Sequence, residues 1–526
     1  MKHTTKKHKS KHATLTILVT ALAGAMPAAM ADQASDAKKA KAAKKEAEKA
    51  KAAEAAAASA LAAKKLQMSF WGRLDMDFRE QMGTPVFVAP EAPVPDGKND
   101  AKAVAPAGCT RRGFPAPLDG PPYPTGEWQI GGTAVIGDPG IVSPSPIMQA
   151  LYDGPYGEAI KKSRIQFYGW EDVSANTSTS HNTSRGQNNN FPEVYDLRSN
   201  KLEQNQLVMY LERVPDECQT DYIDWGFRFS AVYGLDYRYM ISRGFLDSQL
   251  LKSNKYYGWD MPMMYIDMYI PWIAQGMNIR VGRIISEADI EAQLAPNNPM
   301  SSHSLLYGFD PYTQWGVFTT TKLNKNWTLQ LGVAAGNDVT PWQSDPGRQV
   351  TGTVMLQWIS NNNKDSIYGG ANAFNDARFG YNNIQQYVAT WSHKFNEKIW
   401  TTTEGWYMYQ TNATTAPSAS VPYNNAFYPT QPGQAHEWAI LNYTMFRMGP
   451  GSFFTVRNEV FDDVTGQRTG TATIYSEHSI GITWWPNKMM TVRPELRYDR
   501  SYDKLAFDNQ GRKNQFTAQM DVIFHF

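Results

Sequence analysis

Four residues near the C-terminus, Arg493, Glu495, Arg497 and Asp499, alternate in charge along one stretch of chain. Side chains two apart on an extended segment point the same way, so the four form a ladder on one face. Five more charged residues, Arg228, Asp267, Arg280, Arg457 and Glu459, fall on the polar faces of other alternating segments. Rows of this kind can pair across neighbouring strands and stiffen a wall. They can equally set a field across a water-filled lumen. A third group, Glu287, Asp289 and Glu291, precedes Pro296 and Pro299 in a long connection over 285–313. Acids on a loop facing wall arginines would order dipolar solutes and set ion preference. The competing reading is an outward loop with solvated charges.

Groups suited to covalent chemistry are sparse. Ser476 and His478 share a face, but side chains at i and i+2 stand about 7 Å apart along a strand. A serine nucleophile must hydrogen-bond its base, so direct partnership is disfavoured and a lipid hydrolase is the weakest reading. The run SSHS around His303 is no stronger. The chain has no H-E-x-x-H, Walker A or EF-hand spacing, and no G-x-G-x-x-G after a strand. No enzyme activity, catalytic residue, cofactor or metal is therefore expected. Cys109 and Cys218 are the only cysteines. In an exported chain both would meet oxidising conditions, where a disulfide between them and two free thiols are both open.

The 526 residues carry 51 Lys and Arg against 50 Asp and Glu. The balance hides an asymmetry: residues 1–65 hold 14 basic and 5 acidic residues, leaving 37 basic against 45 acidic in 66–526. A net-acidic body disfavours nucleic acid, whose phosphates demand dense Lys and Arg. Residues 1–31 read as a signal peptide, with lysines 2, 6, 7, 9 and 11, an apolar stretch from Ala13 to Ala23, and Ala29-Met30-Ala31 before cleavage between Ala31 and Asp32. Residues 36–65 are almost only Ala, Lys and Glu, which predicts a solvated helix or alanine-rich coiled coil over 32–65. Residues 66–164 hold Pro- and Gly-rich runs that regular structure cannot absorb. They read as a periplasmic or plug-like segment, with SFWGRLDMDF as a possible strand.

From Ile165 onward the period is two. Phe516, Ala518, Met520, Val522, Phe524 and Phe526 oppose Thr517, Gln519, Asp521 and His525. Trp225, Phe227, Phe229, Ala231 and Tyr233 oppose Gly226, Arg228, Ser230 and Gly234. About sixteen such strands fit between 165 and 526, among them 263–271, 277–284, 314–323, 453–461, 489–499 and 515–526. Their connections alternate long and short. A sandwich has no reason to keep that phase, whereas an outer-membrane barrel has short periplasmic turns and long outer loops. In lipid every strand edge must be paired, so the sheet must close. The expected fold is an all-β transmembrane barrel of about sixteen antiparallel strands, eighteen if SFWGRLDMDF and a segment near 128–136 join the wall. Trp225, Trp272, Trp327, Trp358, Trp400, Trp484 and Trp485 gather at the expected periplasmic rim, as interfacial aromatics do. Pro494 sits mid-strand, where a local bulge is expected.

Two stretches then resemble a known family. LNYTMFRMGPGSFFTVRNEVFDDVTGQRTG and IGITWWPNKMMTVRPELRYDRS are similar to the C-terminal half of the OmpL-like outer-membrane β-barrel porins. YGWDMPMMYIDMYIPWIAQGMNIRVGR and SSHSLLYGFDPYTQWGV resemble the middle of that family, so the likeness spans about 165–526. It implies a pore passing small hydrophilic solutes or ions by passive diffusion and says little about which. The expected partners are a lipid bilayer, those solutes, and the barrel-insertion machinery, which would read the terminal Phe526. Peptidoglycan, reached by the N-terminal helix, and a homotrimer are further options. The alternative function is a structural anchor tethered to the cell wall.

Overall fold

The structure is a computed structural model; it describes residues 41, 43–83 and 145–526, apart from 185–186, 214, 217–218, 252–255, 286–288, 344–349, 363, 377–383, 397, 412–432, 450 and 488. The chain divides into two units, one of Met1–Arg73 with Asp153–Pro155 and one of Leu74–Tyr152 with Tyr156–Phe526. In the first, residues 43–67 are helical and almost wholly exposed. Lys65 is an exception, buried with its Nζ 2.9 Å from Asp153 Oδ2. The signal-peptide boundary at Ala31 and Asp32 and the segment near 128–136 lie outside the described residues.

Residues Phe70–Gly83 form a helix, which corrects the strand reading of SFWGRLDMDF. Alternation there runs only from Leu74 to Phe78, whereas Phe70, Leu74, Phe78 and Met82 repeat every four residues. Four-residue spacing puts them on one helical face. No β-branched residue falls in the segment to favour a strand.

The second unit is a closed antiparallel sheet of sixteen strands: β1 Ile165–Ser178, β2 Leu202–Arg213, β3 Asp224–Gly234, β4 in two pieces (Gly258–Asp260 and Met264–Ile270), β5 Met277–Ile285, β6 Thr313–Lys322, β7 Trp327–Asn337 and β8 Thr351–Ile359. It continues through β9 Asp365–Phe374, β10 Gln385–Asn396, β11 Ile399–Thr411, β12 Gln434–Gly449, β13 Ser452–Asp463, β14 Thr473–Asn487, β15 Met490–Ser501 and β16 Asn514–His525. Each strand pairs with its sequence neighbours and β1 pairs with β16, Trp170 opposite His525 and Ser178 opposite Thr517. Sixteen is the final number of strands in this sheet, so the eighteen-strand option does not hold among the described residues.

Two prolines mark departures from a continuous ladder. Pro262 lies at the break in β4, where Met261 O instead accepts 2.8 Å from Arg283 Nη1. Pro494 causes no bulge: it pairs with Met520 in unshifted register, and the loss is confined to the β14 side, between Gly481–Glu495 and Trp484–Val492. A missing N–H costs ladder bonds without requiring an extra residue.

Burial alternates along most of each strand. The outward set is exposed and apolar, including Phe229, Ile266, Val281, Leu331, Val333, Ile440, Ile480, Leu496, Phe516 and Met520. An apolar belt of that extent around a closed sheet is a lipid-facing surface. Trp225, Trp272, Trp327 and Trp484 are exposed as expected, but Trp400 and Trp485 are buried, against Phe453. Adjacent residues on a strand face opposite sides, so Trp484 and Trp485 cannot both meet lipid.

The seam between β1 and β16 depends on one close approach. Gly169 N and O bond Phe526 O and N, each at 2.9 Å. A Cβ on Gly169 would stand 2.1 Å from Val208 O and 2.9 Å from the Phe526 ring. Gly169→Val is expected to abolish the compact, heat-modifiable band of the folded barrel on gels. An undiminished band would show that the seam does not rely on this contact.

Candidate functional site: the interior loop

The connection between β5 and β6 turns into the barrel, and most of its residues from Asp289 to Tyr312 are buried. Its described residues contain one short 3-10 turn, Ala295–Asn297, and one helical turn, Leu305–Gly308. Its peptide groups must therefore find partners elsewhere. The charged ladder supplies them. Arg493 Nη1 donates to the carbonyls of Ala295 (2.6 Å) and Asn298 (2.7 Å). Arg457 Nη1 donates to Ser302 O at 2.7 Å, and Arg497 Nη1 to His303 O at 2.5 Å.

Carboxylates take the opposite polarity. Glu495 accepts from Ser302 N (2.8 Å) and Oγ (2.6 Å). Glu459 accepts from Leu305 N at 2.8 Å and from Leu306 N, holding the start of the helical turn. Glu404 accepts from Ile290 N at 2.6 Å. Bonds with one ionised partner are about twice as strong as neutral ones. The wall charges thus grip the loop by its backbone.

Arg457 is the hub. Fully buried, it lies 3.0 Å from Glu477, 3.2 Å from Glu495 and 3.4 Å from Glu291. A buried charge is tolerable only when paired in this way. Burial alone would raise the Glu291 carboxyl, but His303, Arg457 and Tyr443 around it hold it down to about 2. Arg493 bonds Asp521 Oδ1 at 3.0 Å, and Arg497 bonds Asp499 at 2.8 Å.

The rest of the charged set stands apart. Arg228 pairs with Glu212 at 2.7 Å and Arg280 with Asp267 at 2.8 Å, each across neighbouring strands. Of the loop acids, Glu287 lies outside the described residues, as do Cys109 and Cys218 with their pairing. Glu291 meets Arg457. Asp289 meets no arginine; it lies within hydrogen-bond reach of two other carboxyls, Asp310 and Glu404. Burial pushes Asp289 up to about 6, the two neighbouring carboxyls partly countering it. Burial first, and then the Asp289 charge, push Asp310 well above the ordinary range.

Several of these partners had no sequence signal. Glu404 shares its inward face with Trp406 and Met408, so that strand shows no polar side to single it out. The connection after β1 also enters: Val194, Tyr195 and Leu197 are buried, and Tyr195 stacks 4.0 Å from His303 and 4.4 Å from Tyr239. The inward faces are accordingly not polar throughout. Tyr368, Trp406, Met408, Leu441, Phe461 and Tyr475 pack with Ile290, Leu305, Leu306 and Phe309 in one cluster. Polar inward residues concentrate elsewhere, as Asn278, Thr320, Gln330, Thr353 and Gln357 on β5–β8.

Ser476 and His478 have separate partners, Tyr502 OH at 3.2 Å and Asn458 Oδ1 at 2.8 Å. No group of three His, Cys, Asp or Glu among the described residues is placed to hold one metal ion.

A closed sixteen-strand sheet with an apolar exterior and an inward loop after β5 defines an outer-membrane β-barrel of porin type. The chain belongs to the family described as Putative beta-barrel porin-2, OmpL-like, whose model matches residues 164–526. No curated protein matches the sequence. Similar solved structures include the anion-selective porin from Comamonas acidovorans, at TM-score 0.45 and 9% identity over 69% of this chain and 99% of that one. The outer-membrane channel DcaP of Acinetobacter baumannii gives 0.43 and 11%, over 69% and 97%. OmpT of Vibrio cholerae, in its trimer form, gives 0.40 and 8%, over 69% and 99%. At that distance the neighbours transfer neither a solute nor an assembly, and the fold rests on the strand register and the family match.

Proposed function

We propose that this protein lets small hydrophilic solutes or ions diffuse passively through the barrel, with the loop after β5 setting the narrowest section. One observation carries the reading: that loop is held inside a closed barrel by Arg457, Glu459, Arg493, Glu495 and Arg497. A tether alone has no use for a built interior loop. The polar inward residues of β5–β8 then line the path, and Glu287, Asp289 and Glu291 bias it. In this reading the short turns and the N-terminal helix face the periplasm, where that helix meets peptidoglycan, and three barrels associate.

The test is ion flow across a planar bilayer. The full chain is expected to give discrete conductance steps. Changing Glu287, Asp289 and Glu291 together to their amides is expected to lower the cation-to-anion permeability ratio. An unchanged reversal potential would remove the acids from the reading, and silence at all potentials would remove the pore.

A further inference from the structure

The outward surface of the barrel is not uniformly apolar. One row across the wall holds Thr403, Asn442, Asn458, His478 and Tyr498, each opposite the next in the registers of β11 to β15. All of them face outward. Asn442 places its amide within the wall, on Thr401 Oγ1 at 3.0 Å and Thr403 Oγ1 at 2.8 Å. His478 Nδ1 donates to Asn458 Oδ1 at 2.8 Å. Among the described residues, nothing then meets the Asn458 amide nitrogen or His478 Nε2. Asn458 falls in the middle of β13. On β3, β4, β5 and β7 the corresponding surface is closed by Phe229, Ile266, Val281 and Leu331. Acyl chains offer no hydrogen-bond partner, so open polar groups at mid-wall call for protein against them.

A shallow trough lies beside the row. Gly369, Ala389 and Gly405 stand opposite one another on the outward faces of β9, β10 and β11. Small residues let two walls approach closely. Tyr407, the next outward residue after Gly405, raises an exposed phenol at the edge of the trough. A phenol both donates and accepts, so one hydroxyl can give its proton to His478 Nε2 and take one from the Asn458 amide. Copies inserted in the same direction are related by rotation about the membrane normal, which preserves depth. Depth agrees here, because Tyr407 and His478 both lie toward the long-loop end of their strands. Spacing agrees as well. Three cylinders that touch one another meet at contacts about a sixth of the circumference apart, about three strands in a wall of sixteen. The middle of the trough is β10 and the middle of the row is β13.

We infer that the face over β9–β14 joins copies of this chain, the row on β13 and β14 of one copy seated on the trough over β10 and β11 of the next, around a threefold axis. The inference deepens the reading that three barrels associate, and rests on it. The test is photo-crosslinking of the full chain in outer membranes, with Ile480→p-benzoylphenylalanine as the probe. Ile480 is the next outward residue on β14, so the row itself stays intact. Adducts of two or three whole chains are expected, with peptide mapping placing the bond within residues 385–411. The same probe in place of Leu331 on β7 should give none. Gly405→Trp fills the trough at a position where a Cβ meets nothing nearer than 3.4 Å. Added to the Ile480 probe, it should keep the heat-modifiable band of the folded barrel and lose the adduct. Three outcomes would overturn this interface: a three-chain mass in mild detergent without any adduct between copies, an adduct that maps to another face or another protein, or an undiminished adduct in folded Gly405→Trp. A single-chain mass for the wild type would remove the threefold assembly itself, and this interface with it.

Discussion

Replacing Arg457 by methionine is expected to release the interior loop and raise single-channel conductance. The guanidinium joins three carboxylates, Glu291, Glu477 and Glu495, to the Ser302 carbonyl and hydroxyl. Its removal leaves those carboxylates buried without their shared cation. Breaking a buried pair from one side costs roughly 3–5 kcal/mol, several times an ordinary hydrogen bond. The wall has its own strand ladder to hold it. The loop has little regular structure, so the loss falls on the loop. Chymotrypsin, which can cut at Leu305, Leu306, Tyr307, Phe309 and Tyr312, should find these sites far more readily in the variant. Lysine at 457 should fall between, keeping the charge but not the fork of donors. Equal conductance and equal protection in the methionine variant would show that Arg457 does not anchor the loop.

The second large effect is that of pH on the same loop. Asp289 and Asp310, on the loop, face Glu404 on β11, with Glu291, Tyr307, Tyr312 and Arg468 as the next charged or titratable neighbours. Arg468 is turned to Glu437 at 3.3 Å. Burial raises Asp289 from an ordinary 3.8 to about 6 and holds Asp310 well above its ordinary range. A carboxyl raised on folding stabilises the seated loop below its unfolded value, and that contribution is lost as pH climbs through the folded one. The seat should therefore weaken from about pH 4 to 6 through Asp289, and Asp310, raised in the same direction, adds to the loss. Glu291 has the opposite sign: held at about 2, it stabilises above its ordinary 4.5 and fails only in stronger acid. Chymotrypsin protection should accordingly peak in mild acid and decline toward neutrality. Asp310→Asn should flatten the neutral limb. A flat profile in wild type between pH 5 and 8 would refute this pH dependence of the seat.

The barrel was legible because its physics is periodic. Lipid demands one apolar face and closure demands pairing, so alternation and the phase of long and short connections pointed to sixteen strands. Failures came where one segment fits two periods, as in Phe70–Gly83, or where a pair such as Trp484 and Trp485 must split between faces. The ladder Arg493–Asp499 was visible for the same periodic reason. What it binds was not, because the loop contacts run through backbone carbonyls and amides, which every sequence possesses. Asp289 was expected to face arginine and meets carboxyls instead, a matter of tertiary placement that residue type does not encode.

A hold exerted on peptide groups has an evolutionary corollary. Side chains of Ala295 and Leu305 can be exchanged without touching the carbonyl and amide that the wall grasps there. The loop is then a cartridge in a fixed socket. Permeation preference can drift through its side chains while the scaffold is inherited unchanged, and diversity within such a lineage should concentrate in the insert rather than in the arginines and glutamates that seat it.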